Sequence, residues 1–490
     1  MQSRAAGSTT DPRSASDSGS DWTDITPESC ERPGNSSDIV TTSRGSGDHV
    51  DFAYISQSSN SPSNRRRRPR GQFRTTEQRE KTSATRKMRA CLRCRMQRVR
   101  CEIDDSDPSG VCKTCRNIMK PTIHKLPCVR WILTDCALYR IADLGYTHRW
   151  LDWKMTDISD WESEEIRVSN MRCTLLPSFS IPIKFRRFVP REGDLMRRSW
   201  YDNKEKRSIS VTPYAIASMS ETANELSTVM DEKMFDYLHD AVANTDKFIY
   251  NTYAFARQHI KRTTVKEEGV LMRNVLRICF AVHFSGGSAY LEGDDTLDIP
   301  LATDPSYNLC GKVPYPPIAD TQLDLILFSK FYQPLQKLIL DGLSKLVMSN
   351  KPQYWTTIYL VTFMLLHNCS VLTWDRYRHA RKHGTKERYT LPRFVENLHR
   401  GANILLAHYH YYKGDMHLPE IDWKQRHTIR LAHLSPPEFG FFIRSTELVK
   451  EKEDHIRICL EYDSWEDELY FVSQMFEKDW SPRELFKSPE

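Results

Sequence analysis

The sequence predicts a mainly α-helical chain: a disordered N-terminal tail, a small cysteine-rich domain, and a larger helical domain. Three observations predict it. Hydrophobic residues are 39% of the 490, below the globular share of about 45–50%, as expected for a folded body with a long polar appendage. Six of the 13 cysteines fall between positions 91 and 128. Beyond position 212, apolar residues recur at three- and four-residue steps, the period of a helix with one buried face. The length gives room for roughly two or three domains.

Residues 1–85 come first. They are rich in Ser, Thr, Asp and Gly, and too poor in large apolar side chains to offset the entropy of ordering the chain. Asp11, Asp17, Asp21, Asp24, Glu28 and Glu31 make the start acidic, without the apolar core of a signal peptide. The charge then reverses at RRRRPR, residues 65–70, followed by Arg74, Arg79, Lys81, Arg86, Lys87 and Arg89. So dense a basic run suits nuclear import or a phosphate-binding arm. The net charge is only +6, so its placement carries more information than its sum.

The cysteine domain spans 86–135. Its spacing is Cys91-x2-Cys94-x6-Cys101-x10-Cys112-x2-Cys115-x12-Cys128. Clustered thiols in a chain with no secretion signal bind metal more often than they form disulfides. Each C-x2-C pair grips one ion from a tight turn, as in structural zinc sites. Six thiolates serve two four-coordinate zincs only if two of them bridge. Arg93, Arg95, Arg98 and Arg100 are threaded through the first three cysteines, which adds nucleic acid to metal as an expected partner.

The motif ACLRCRMQRVRC, residues 90–101, with Asp107-Pro108 and Cys112-x2-Cys115, resembles the fungal binuclear six-cysteine zinc cluster of transcription regulators. The likeness covers about residues 86–131. It implies two zinc ions per chain, with Cys91 and Cys112 bridging, Cys94 and Cys101 completing one site, and Cys115 and a sixth ligand the other. It implies double-stranded DNA as partner, a nuclear location and regulation of RNA polymerase II genes. The segment between Cys94 and Cys101 would enter the major groove, with Gln97, Arg98 and Arg100 at the base-reading positions. Arg can pair with guanine and Gln with adenine. Arg93, Arg95, Lys113 and Arg116 would sit at phosphates. The sequence departs from the family at Gln97 and Arg98, where two lysines are usual, and at the last spacing, which is longer. Cys128 is preferred as sixth ligand; His124 is the alternative, since it restores the shorter gap.

Residues 136–211 read as a connecting segment. Trp150, Trp153 and Trp161 flank an acidic stretch, and Pro177, Pro182 and Pro190 argue for extended linker or edge strand. Residues 212–490 read as a helical regulatory domain. Helices are expected from Thr212, with Pro213 in the first turn, then over 245–262, 267–284, 320–348, 352–380, 391–412 and 445–475. The run Trp355–Trp374 is apolar enough to suggest a membrane span, but His367, Asn368 and Ser370 make a buried helix the better reading, and no membrane is expected. The histidines at 379, 383, 399, 408, 410, 417 and 427 are scattered, and no catalytic motif is present. The chain is expected not to be an enzyme. The alternative to DNA reading is a zinc-stabilised protein-interaction or corepressor scaffold. Transcription machinery or corepressors are further expected partners. No heptad seam specifies an oligomer.

Overall fold

A helix buried on all sides forms the axis of the body. In the computed structural model, which describes residues 75–489 apart from 119–125, 141–144, 203–204, 383, 415 and 424–432, the expected run appears as one helix, Trp355–Lys382. Its apolar window is 94% buried. A helix apolar all round has no face to give to water, so protein must enclose it. The tail at 1–74 and His124 lie outside the described residues.

Before the axis come α1 (Thr76–Met88), the short turns α2 (Leu92–Met96) and α3 (Lys113–Arg116), then strands β1 (Trp161–Cys173), β2 (Leu176–Phe188), β3 (Arg197–Asp202), β4 (Glu205–Ser210) and β5 (Tyr214–Ile216). Next are α4 (Met219–Val242), α5 (Lys247–Arg262), α6 (Lys266–Gly286), β6 (Ala289–Glu292), β7 (Val313–Pro314), α7 (Pro317–Ile326) and α8 (Gln333–Ser349). The axis is α9. After it come α10 (Pro392–Lys413), α11 (Pro436–Glu451), α12 (Glu453–Glu461) and α13 (Tyr470–Ser473).

The fold is therefore mixed α/β, not mainly α. The stretch read as a connection, 136–211, holds four strands. An antiparallel sheet runs in the order β5-β2-β1-β6-β7. It was hidden by its prolines. β5 pairs only with Phe185 to Arg187, so Leu176–Ile183 keep one edge free, and Pro177 and Pro182 are tolerated on that half-strand. The other face of β2 does follow the strand period: Phe179, Ile181, Ile183 and Phe185 are buried. Phe179 meets Tyr237 of α4 and Phe280 and Phe284 of α6 edge-on, so the sheet lies on those two helices.

Three other expectations shift. Pro213 precedes β5 and not a helix; the helix starts at Met219, where the Ser218 hydroxyl accepts from the Glu221 amide. The free edge of β5 is closed by the fully buried Gln322, which donates to the Ile216 carbonyl and accepts its amide, at 3.0 and 2.7 Å. The helix expected over 445–475 is instead α11, α12 and α13, and α11 begins at the prolines 436 and 437 behind a Ser435–Glu438 capping box. Residues 76–85, assigned to the disordered tail, belong to α1.

Neighbouring helices answer three of the polar groups of α9. Thr357 takes a bond from His259 of α5 and donates to the Glu268 carboxylate of α6. Tyr253 reaches His367 at 3.0 Å, and Thr373 meets His399 of α10 at 3.1 Å. Burial raises the Glu268 carboxyl above its usual range, and the Thr357 hydroxyl works against that shift. Thr357→Val would strand a buried carboxyl and an imidazole, and should cost about 1–3 kcal/mol of unfolding free energy in a urea titration. A variant as stable as the parent would show that the network contributes nothing.

Candidate metal centre and nucleic-acid face

The cysteine segment folds as two similar halves. Cys91 caps α2 with its thiol accepting from the Cys94 amide, 3.4 Å away; Cys112 caps α3 by accepting from the Cys115 amide at 3.3 Å. Cys101 accepts from the Cys91 amide, and Cys128 accepts from the Cys112 amide. Cys128 thus holds in the second half the place that Cys101 holds in the first. Thr114 bridges the halves, donating to the Arg100 carbonyl and accepting from the Glu102 amide.

This puts the thiols in two sets of four: Cys91, Cys94, Cys101 and Cys112, and Cys91, Cys112, Cys115 and Cys128. All Sγ atoms of a set lie within 4.8 Å of one another. Neighbouring pairs stand at 3.6–3.9 Å. Four sulfurs at 2.3 Å from a tetrahedral zinc would be about 3.8 Å apart, so the donor sets fit two zinc ions sharing Cys91 and Cys112. Among the described residues no disulfide competes for these thiols. Crowding also sorts their protons. Bonds from neighbouring thiols, Cys128 first, hold Cys115 well below the usual thiol range; bonds to Cys115 hold Cys91 and Cys94 well above it.

The seven basic and amide residues separate into two groups. Gln97, Arg98 and Arg100 are exposed on one arc, with Val99 between them. Arg93 is 8% exposed and donates to the Cys115 sulfur at 3.4 Å. Arg95 is half-buried and bonded inward. Lys113 pairs with Asp105 and Arg116 with Asp104 at the surface. Arg93 and Arg95, expected at phosphates, are thus engaged within the protein.

Arg98 has a left-handed backbone, φ 55°. It follows the last turn of α2, with its amide on the Arg95 carbonyl and the Val99 amide on the Cys94 carbonyl. Glycine is the usual residue at this position of such a turn, and an arginine there costs roughly 1–2 kcal/mol. Strain of this kind points to a role for the side chain.

The module is seated on α10. Leu92 is fully buried in the main core, with Met96, Val129 and Trp131 packed against that core. Arg95 Nη2 donates to the Trp131 carbonyl at 3.0 Å and meets His408 Nε2 at 3.1 Å. His408 Nδ1 donates to the Ile404 carbonyl, which leaves Nε2 free to accept. Tyr411 donates to the Pro127 carbonyl at 2.5 Å. Cys136 is core, against Gly401, where an added Cβ would sit 3.3 Å from the Ala137 backbone. His410, two residues from His408, faces the other way, stacked on Trp480. The seat was not visible in the sequence, although Leu92, an apolar residue between two cysteines, marks its buried side.

A model of the KpeA transcription factor family matches residues 141–475, well over half of the chain, and the protein belongs to that family. The matched region begins after the cysteines. No curated protein and no solved structure matches the chain. Membership makes the protein a transcription regulator.

Burial, reinforced by the Arg95 charge, lowers the His408 imidazole from 6.5 to about 4. A histidine held neutral in the fold contributes stability above 6.5 that is lost as pH falls towards 4, worth about 3 kcal/mol. In His408→Gln, which cannot titrate, the unfolding free energy should fall less over that window by this amount. Parallel pH curves for parent and variant would contradict the neutral His408 acceptor.

Proposed function

We propose that the protein is a sequence-specific, DNA-binding regulator of RNA polymerase II genes that acts in the nucleus and performs no catalysis. The observation that carries this reading is the pair of four-thiol sets sharing Cys91 and Cys112. Zinc, when bound, would supply the cross-link that holds the two halves together. Cys94 and Cys101 would complete one site, and Cys115 and Cys128 the other. Six thiolates around two divalent ions leave an excess of two negative charges, and Arg93 would offset part of it from its place at Cys115.

Gln97, Arg98 and Arg100 would then do the reading. They are exposed, so a duplex can reach them. Lys113 and Arg116 would position the backbone. The matched body, 141–475, would carry contacts to transcription machinery or corepressors. A pure interaction module would also use the zinc core, but it gives no reason for a strained arginine at 98.

The test is selection from random oligonucleotides, with zinc measured on the same sample. The expected result is two zincs per chain and an enriched motif. Cys112→Ser should empty both sites and Cys101→Ser one. Equal losses from the two variants would argue against bridging. Arg98→Gly relieves the left-handed turn, so stability should hold or rise by up to about 1 kcal/mol. Affinity for the selected site should nonetheless drop by about 5- to 150-fold. A loaded protein that enriches no motif would leave the interaction-module reading in place of this one.

A further inference from the structure

A second site lies in the body, away from the cysteines. A cavity of about 180 Å³ opens where β3, the end of α6, α7 and the last turns of α9 meet. One water needs only roughly 10–15 Å³, so the space takes a small molecule. Its wall is polar. Arg140, Arg198, Arg376 and Lys382 line it, with Asp320 and Asp324.

Among the described residues, charge around it does not balance. Arg140 pairs with Asp324 at 3.0 Å and Arg198 with Asp320 at 2.9 Å. Asp375, 1% exposed, takes both Arg376 and Arg378. Lys382 has no carboxylate partner among the described residues; its ammonium lies 5.9 Å from the Tyr307 ring centre. Leaving His379 aside, five cations face three carboxylates among the described residues. The C-terminal end of α9 offsets only about half a charge. Buried positive charge without a counter-ion is costly. The consequence is visible at Lys382, which burial, with Arg378 and Arg198 nearby, lowers to about 8.

Leu327, which also lines the cavity, opens the six-residue π-helical turn Leu327–Tyr332 between α7 and α8. Such turns are rare and are frequent at functional sites.

The geometry points to a binding site for a small dianion, a dicarboxylate or a phosphate monoester, held by Arg140, Arg198, Arg376 and Lys382. Guanidinium groups present paired donors to either kind of anion, and Lys382 supplies the unmatched charge. The site stands independently of DNA reading.

Isothermal titration and thermal melting of the full chain test it, with succinate, glycerol phosphate and neutral succinamide at equal ionic strength. The expected result is saturable binding and a raised melting temperature with at least one dianion and none with succinamide. Succinate alone would assign the dicarboxylate, glycerol phosphate alone the phosphate monoester. Lys382→Gln should fold as stably as the parent, because it breaks no ion pair, and should weaken binding by about ten-fold or more. Arg198→Lys keeps the charge and the Asp320 pair but loses the paired donors, and should also bind more weakly. Failure of both dianions, equal binding of succinamide, or unchanged affinity in Lys382→Gln would overturn the proposal.

Discussion

A helix enclosed by protein needs partners for the polar groups it carries, and that demand organises this body. Along α9, Thr357 calls on α5 and α6, His367 on α5, and Thr373 on α10. Each answer fixes the rotation of the helix that supplies it, because a hydrogen bond tolerates far less sliding than an apolar contact. Of the histidines that looked scattered in sequence, His399 is one of these answers. Burial holds His367 and His399 near 3, well below the usual imidazole range, so they serve as neutral hydrogen-bonding groups. Where α9 ends, the demand changes sign. Asp375, Arg376, Arg378 and Lys382 crowd the last turns, and the surrounding elements open into a charged cavity.

The same logic seats the cysteine module. A guanidinium cannot be buried without acceptors, and Arg95 finds two, the Trp131 carbonyl and the neutral face of His408. The imidazole accepts only because its other nitrogen is committed to Ile404. The seat therefore depends on a helix turn of α10 as much as on Arg95. The segment from Leu126 to Arg140 connects the two regions: it contains Cys128, packs Leu133 and Cys136 into the core, and ends at the wall of the cavity.

What the sequence disclosed follows from the range of the interactions. Helices α5, α6, α9 and α10 were legible to within a few residues because periodicity and capping are local. The cysteine pairs were legible because metal chemistry fixes spacing, and the structure brings Cys128 into the second set. Strand β1 was not, and for β2 the prolines 177 and 182 left extended linker or edge strand open, because which edge is free is set by distant residues. Arg95 and His408 are 313 residues apart, and no local pattern announces such a pair. The cavity was illegible for the same reason: its cations come from three separate stretches, and each reads alone as a solvated charge.

The apolar seat bears on what kind of unit the cysteine module is. Leu92 and Leu133 are buried in the same core as Leu405 and Leu406 of α10. A cut between 135 and 136 would leave greasy faces on both products. The module is thus no portable cassette on a tether. Its buried side is completed by its platform, and the angle at which Gln97, Arg98 and Arg100 look outward is a property of the whole body.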